Sequence, residues 1–253
     1  MQTKDFPRGI PAANDYLLFQ TADGITKSCL ISELPNSPSD SGGGGTGGTT
    51  ANYPPTMKLW IEGSLIDKSG NSNNATSVIG TNPTVIVGLD GKNVLHWDGS
   101  SSQELQISPF LADATEATVY VVFSNSANNN YNLIRTKNID DYWRFSNNGK
   151  GYFGTFLSGR VNEYPSEMPL EGSHLVSIHA KDNSYEVLIN NFGKGVQDLN
   201  FDPGDRFRIG TNDKNFNGDI ALILVYDSWI DKESQSHEDI VAAIKSNYPS
   251  LVI

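Results

Sequence analysis

From residue 57 onward the chain is a succession of short apolar or alternating stretches, each closed by Gly, Asn, Asp or Pro. The longest apolar run is Ile220, Ala221, Leu222, Ile223, Leu224, Val225 and Tyr226. A turn-bounded, β-branched run of this kind suits a central strand covered on both faces, and such cover implies two sheets. With the stretch at 207–210 and the polar loop between them, it reads as a β-hairpin at the heart of a sheet. Other strands are expected at 57–61, 75–78, 94–97, 104–107, 118–124, 131–135, 142–145, 152–156, 174–180 and 185–189. So many strands without an intervening helix indicate an all-β, antiparallel two-sheet sandwich or jelly roll. Only the end changes period. Asp231 is expected to cap a helix that carries Ile240, Val241, Ile244 and Tyr248 on one face, stops at Pro249 and packs on the sandwich edge.

The start of the chain is organised differently. Apolar segments at 16–20 and 25–31 flank Asp23-Gly24, a tight-turn dipeptide, and predict a small β-hairpin. So short a hairpin buries too little surface to stand alone, so it is expected to need a partner chain or a symmetry mate. The following Pro, Ser, Gly and Thr residues give neither core nor stiffness, and a flexible chain of that length separates its ends by roughly 20 Å. The expected organisation is an anchoring hairpin at 1–35, a Gly-rich linker at 36–52 and a jelly roll at 53–253.

Charge narrows the partners. The chain has 18 Lys and Arg against 29 Asp and Glu, a formal charge of −11, with no basic stretch able to follow a phosphate backbone, so nucleic acid is not an expected partner. The one cysteine, Cys29, rules out an internal disulfide framework and is expected to pack as a small apolar side chain in the hairpin. The first residues lack the apolar core of a secretory signal, and no apolar stretch is long enough for a membrane span; a soluble chain made in a cytosol is expected.

The segments Asp67-Lys-Ser-Gly-Asn71-Ser-Asn73 and Gly91-Lys-Asn-Val-Leu95-His-Trp97-Asp98-Gly99 are followed by the strand at 118–124, Asn190-Asn191, Phe207-Arg-Ile209-Gly210 and Asn217-Gly218-Asp219-Ile220-Ala221. In that order and spacing they resemble the concanavalin A-like lectin and glucanase superfamily, specifically its laminin-G-like jelly-roll domains. The resemblance covers about 59–248 and implies two antiparallel sheets, one concave, with ligand sites in loops at a sheet rim. The Pro-Ala-Ala-Asn-Asp-Tyr-Leu-Leu start, the hairpin and the Gly-rich tether resemble the anchoring ends of tailed-bacteriophage fibre or decoration proteins. That implies a virion protein assembled in the host cytoplasm, docked to other virion proteins through 1–35, presenting a lectin-like domain to a host cell-surface glycan. It also implies a homo-oligomer, for which a trimer is the usual fibre arrangement. The alternatives are a carbohydrate-binding module of a bacterial surface protein and, further off, a β-glucan hydrolase.

Catalytic chemistry has little to stand on. The Glu-x-Asp-x-x-Glu pair of the superfamily's glucanases is missing, as is Gly-x-Ser-x-Gly, and the histidines His96, His174, His179 and His237 lack metal-ligand spacing; no enzyme is expected. His174 and His179, five apart on one strand, should face opposite sides. The resemblance implies one possible calcium ion, for which Asp67, Asp90 and Asp98 in turns are candidate ligands, although such side chains also hydrogen-bond their own backbone. Sugar recognition needs an aromatic face and hydroxyl partners. Trp143, Arg144, Asn148, Tyr152, Arg160, Asn162 and Tyr164 supply these types densely, and Asn212, Asp213 and Asn215 occupy a polar loop at a candidate rim. By alternation Trp143 and Arg144 face opposite sides, with Trp143 inward the ordinary assignment.

Overall fold

The computed structural model describes residues 53, 57–99, 103–111, 113–124, 133–134, 172–181, 186–191, 207–210 and 216–253 with their side chains, and the backbone of strand segments at 16–20, 26–30, 125, 131–132, 135–136, 141–144, 146–147, 152–157, 160–165, 184–185 and 192–198. The chain divides into two units, Met1–Thr49 and Thr50–Ile253. In the first, β1 (Tyr16–Gln20) and β2 (Thr26–Leu30) form an antiparallel hairpin with Tyr16 opposite Leu30 and Gln20 opposite Thr26. The two strands expected on either side of Asp23-Gly24 thus pair, while that dipeptide lies outside the described residues.

The second unit opens with β3 (Met57–Glu62), β4 (Thr76–Ile79), β5 (Thr84–Val87), β6 (Asn93–Asp98), β7 (Glu104–Ile107) and β8 (Glu116–Asn125). It continues with β9 (Tyr131–Asn132), β10 (Ile134–Thr136), β11 (Asp141–Arg144), β12 (Ser146–Asn147), β13 (Tyr152–Leu157) and β14 (Arg160–Pro165). It closes with β15 (Gly172–Lys181), β16 (Ser184–Ile189), β17 (Phe192–Asp198), β18 (Phe207–Ile209), β19 (Asn217–Tyr226) and the helix α1 (Gln235–Asn247). The large antiparallel sheet has the order β17-β16-β15-β8-β19-β6-β5, and the small one β10-β18-β7-β4. β19 runs along β8 for its whole length; on its other side it pairs first with β6 and then, from Leu222 onward, with β3.

The two sheets enclose one core. Leu95, Trp97, Val121, Phe123, Ile220 and Ile223 from the large sheet meet Leu105, Ile107, Phe207 and Ile209 from the small one, all essentially inaccessible. Burial of each such aliphatic side chain contributes about 1.5–3 kcal/mol. The opposite face of the large sheet carries a second core, in which Tyr120, Val122, Leu222, Leu224 and Tyr226 lie under Ile240, Ile244, Tyr248 and Leu251. The central strand is therefore covered on both faces as expected, but by a sheet on one side and a helix on the other, not by sheets alone.

Four expectations are corrected. The stretch 207–226 is not a hairpin: β18 pairs with β7 and β10 in the small sheet, whereas β19 centres the large one. Phe207 and Ile220 nonetheless share a core, because the chain crosses from sheet to sheet after Gly210, whose φ of +61° no β-branched residue would tolerate. The helix packs on the face of the large sheet rather than its edge, since the outward positions of β8 and β19 are themselves apolar and bulky. Its cap is Ser234, whose Oγ accepts from the His237 N–H at 3.3 Å, while Asp231 accepts from the Glu233 N–H at 2.8 Å in the turn before. Finally, β5, β12, β14 and β17 lie outside the expected strands; Arg160-Val-Asn-Glu-Tyr-Pro and Phe192-Gly-Lys-Gly-Val carry weak strand propensity and are strands because β13 and β16 pair with them.

Candidate functional site

The aromatic and amide-rich segment forms a three-stranded antiparallel sheet, β11-β13-β14. Its register sets position 143 opposite 155 and 155 opposite 162, while 153 pairs with 164 and 157 with 160. By strand alternation Trp143, Arg160, Asn162 and Tyr164 therefore occupy positions on one face, and Arg144 and Tyr152 positions on the other. The register gathers four of the residues singled out for sugar recognition and separates two. Asn148, Asn212, Asp213 and Asn215 lie outside the described residues.

The three aspartates singled out as calcium ligands are not brought together. Asp67 Oδ1 accepts from the N–H groups of Trp60 and Ser69, both at 2.9 Å, and Oδ2 accepts from the Asn73 N–H at 2.9 Å and Ser69 Oγ at 2.8 Å. Burial alone would raise this carboxyl, but these donors outweigh it and hold it below the usual carboxylate range. Two donors on each oxygen occupy its lone pairs, so Asp67 organises the turn after β3 and leaves nothing for a cation. Asp90 Oδ2 accepts from Ser250 N at 3.2 Å and Ser250 Oγ at 2.9 Å, tying the C-terminal tail to the β5–β6 connection. Asp98 ends β6 opposite Asn217. Among the described residues no three His, Cys, Asp or Glu side chains group as a metal site would require.

The histidines face opposite sides of β15 as alternation requires: His174 packs on Phe123 towards the inter-sheet core, and His179 on Tyr120 and Trp229 beneath the helix. His179 Nδ1 lies 2.6 Å from the Ile230 carbonyl, which can only accept, so the proton is on Nδ1 and Nε2 accepts from Ser177 Oγ at 3.0 Å. His237 bridges Tyr120 Oη through Nδ1 and Asn191 Oδ1 through Nε2, both at 2.9 Å. Burial pushes His179 down to about 4 and lowers His237 as well, so both are neutral imidazoles that stitch β8, β15 and the β16–β17 turn to the helix. On the outward side of the small sheet, Arg208 pairs with Glu104, whose side chain is wholly buried.

Among the described residues, two clefts open beside these elements. One, of about 330 Å³, lies between Glu62, Gly63 and Lys68 on one wall and Lys92 and Asn93 on the other. Its carboxylate is committed, Glu62 accepting from Trp60 Nε1 at 3.2 Å and from Tyr248 Oη at 3.0 Å. The second, of about 380 Å³, lies where β19 ends and α1 begins. Its apolar surface comes from Trp229, Ile230 and Ile240, its hydroxyls from Ser228, Ser234 and Ser236, its one charge from Asp231, and Tyr226 belongs to its wall. Sequence reasoning passed over this cleft although the signal is local: Asp227-Ser-Trp-Ile-Asp-Lys-Glu-Ser places an aromatic, two serines and carboxylates in one strand-to-helix connection.

No family model matches the chain, and no curated protein matches it. Solved structures do share its fold. Domain 4 of AbnA, a GH43 extracellular arabinanase from Geobacillus stearothermophilus solved in complex with arabinotriose, matches with a TM-score of 0.61 at 14% identity over 73% of this chain and 98% of that one. The binding domain of botulinum neurotoxin DC, solved in complex with rat synaptotagmin II, gives 0.58 at 12% identity over 76% of this chain and 52% of that one. The binding domain of Paraclostridial Mosquitocidal Protein 1 gives 0.57 at 11% over 74% and 52%. The chain thus spans about half the length of these two toxin domains. At such identities the likeness establishes the β-sandwich and nothing finer.

Proposed function

We propose that this chain is a non-catalytic glycan-binding module, carried by its N-terminal segment into a bacteriophage virion of tail-fibre or decoration type. The observation that carries the glycan reading is the register of β11, β13 and β14, which sets Trp143, Arg160, Asn162 and Tyr164 on one face of a sheet within the β-sandwich unit. An aromatic ring takes the apolar side of a pyranose, and flanking amide, guanidinium and phenol groups take its hydroxyls. The shared fold of an arabinanase domain solved with arabinotriose supports a saccharide as the ligand class. The virion reading draws its support from the layout: a hairpin, a Gly-rich tether and then a lectin-like sandwich.

Glycan-array binding of the full chain, with and without EDTA, tests the module. Binding to one glycan class is expected, with at least a tenfold loss in Trp143→Ala; an array blank in both conditions removes the reading. EDTA sensitivity would reinstate calcium through ligands other than Asp67. Deleting residues 1–35 should abolish incorporation into particles, and normal incorporation, or export of the native chain to a bacterial surface, overturns the virion context.

A further inference from the structure

The cleft between the end of β19 and the start of α1 is built like a binding site, although no sequence motif marked it. Its volume of about 380 Å³ sits at the small end of ligand pockets, room for one ring and not for a buried oligomer. Its surface is mixed in a specific way: the Trp229 ring with Ile230 for a C–H face, and the hydroxyls of Ser228 and Ser236 for polar contacts, that of Ser234 being committed to the Asp231 carbonyl and the His237 N–H. The charge present is negative. Asp231 lines the cleft, neither Lys nor Arg does, and the neighbouring Lys232 ammonium is engaged by Glu186 at 2.6 Å. The positive end of the helix dipole is already answered by Glu238 in its first turn.

Tyr226 supplies an independent observation. It forms part of the cleft wall, is fully buried, and its hydroxyl has no hydrogen-bond partner among the described residues. A buried hydroxyl left unpaired is disfavoured in a protein interior unless something else completes it. A small polyhydroxylated ligand, or a water it carries in, brings both donors and acceptors to that wall.

We infer that this cleft binds one ring of a neutral sugar, with Trp229 against its C–H face, Asp231, Ser228 and Ser236 on its hydroxyls, and Tyr226 at the inner wall. The inference rests on the glycan reading of the chain but assigns a place separate from the β11-β13-β14 sheet. Asp231 disfavours an anionic sugar.

Saturation-transfer difference NMR on the full chain tests it, with glucose, galactose, arabinose and N-acetylglucosamine as neutral probes and glucuronate as the charged one. At least one neutral sugar should give a signal, and glucuronate should not. Ser236→Trp, which fills the mouth from an exposed helix position, should abolish the signal in a protein with unchanged circular dichroism. Asp231→Asn keeps the turn-capping oxygen and should weaken neutral-sugar binding about tenfold; it stands in if the tryptophan variant misfolds. Tyr226→Phe should weaken binding several-fold without lowering the unfolding midpoint. Undiminished signal in folded Ser236→Trp or in Asp231→Asn, or preference for glucuronate, overturns the cleft. Array binding that survives Ser236→Trp and disappears in Trp143→Ala refutes this site and leaves the module standing. Silence in both formats refutes both.

Discussion

His179, beneath the helix, and His237, on the helix itself, stand 5.4 Å apart ring to ring, and Tyr120 packs against both. Burial sets His179 at about 4; proximity to His237 and Lys232 acts in the same direction, and the Ile230 carbonyl and Asp231 act against it. A histidine depressed in the folded state takes up its proton more readily when unfolded. Its contribution is therefore complete above the unfolded value of about 6.5 and is lost as pH falls from there towards 4. For His179 this amounts to a loss on the order of 3 kcal/mol, from about 1.4 kcal/mol per pH unit. Urea midpoints at pH 7 and pH 4.5 should show a drop that is clearly smaller in His179→Gln; equal drops would disprove the assignment. The Arg208–Glu104 pair makes a different claim. Arg208→Met removes the guanidinium that pairs with the wholly buried Glu104 carboxylate and should destabilise by up to about 3–5 kcal/mol, whereas adding Glu104→Leu should recover most of that loss. A double variant no more stable than the single one would show that the pair is not coupled.

At the scale of elements, β19 carries a device hidden in its composition. Against β8 the register shifts between Ile220 and Leu222, so Ala221 is an extra residue, and both Ala221 and Leu222 point to the helix side while Ile220 and Ile223 point to the inter-sheet core. The bulge falls where β19 exchanges β6 for β3, and the Ala221 carbonyl accepts from Tyr248 Oη at 3.1 Å. Deleting Ala221 restores plain alternation with every other core side chain on its present face, so the protein should fold with reduced stability. Deleting Leu224 from the regular part reverses the faces on one side of the cut and should abolish soluble expression. Comparable soluble yield from both deletions would remove the bulge from this role. The strand itself was legible because a long β-branched run admits few other readings; the bulge was not, because uniformly apolar residues carry no phase. The same limit explains β14 and β17, whose polar and glycine-rich residues become strands only through their neighbours. Trp143 and Arg144 were legible as opposite-facing because alternation is a local rule. The gathering of Trp143 with Arg160, Asn162 and Tyr164 depends on register between strands, which no single strand encodes. The aspartates mark the converse case: Asp67 looks like a ligand in a turn, and only its four donors show that the turn consumes it.

For the whole molecule, the two cores determine which part of the chain folds as a unit. Among the described residues, the inter-sheet core is built from residues between Leu59 and Val225, and the helix-side core from residues between Tyr53 and Leu251. The chain ends of this unit are stitched into it, since Tyr53 packs edge-on against Trp60 with ring centroids 5.2 Å apart and the tail at Ser250 is held by Asp90. Removal of 1–49 takes away none of these contacts, and a sandwich of this size buries enough surface to be stable alone. A fragment of residues 50–253 should therefore unfold in one cooperative transition, with a midpoint within about 2 °C of the full chain, less than the shift that 1 kcal/mol produces in a domain of this length. Truncation at residue 62 instead removes Tyr53 and β3, exposes the second half of β19 as an open edge and should give insoluble protein. Differential scanning calorimetry of the two fragments separates the outcomes. A markedly lower midpoint for 50–253 would mean that the first unit contributes to the sandwich itself, and the anchor reading, which requires a sandwich that stands without its tether, would fall with it.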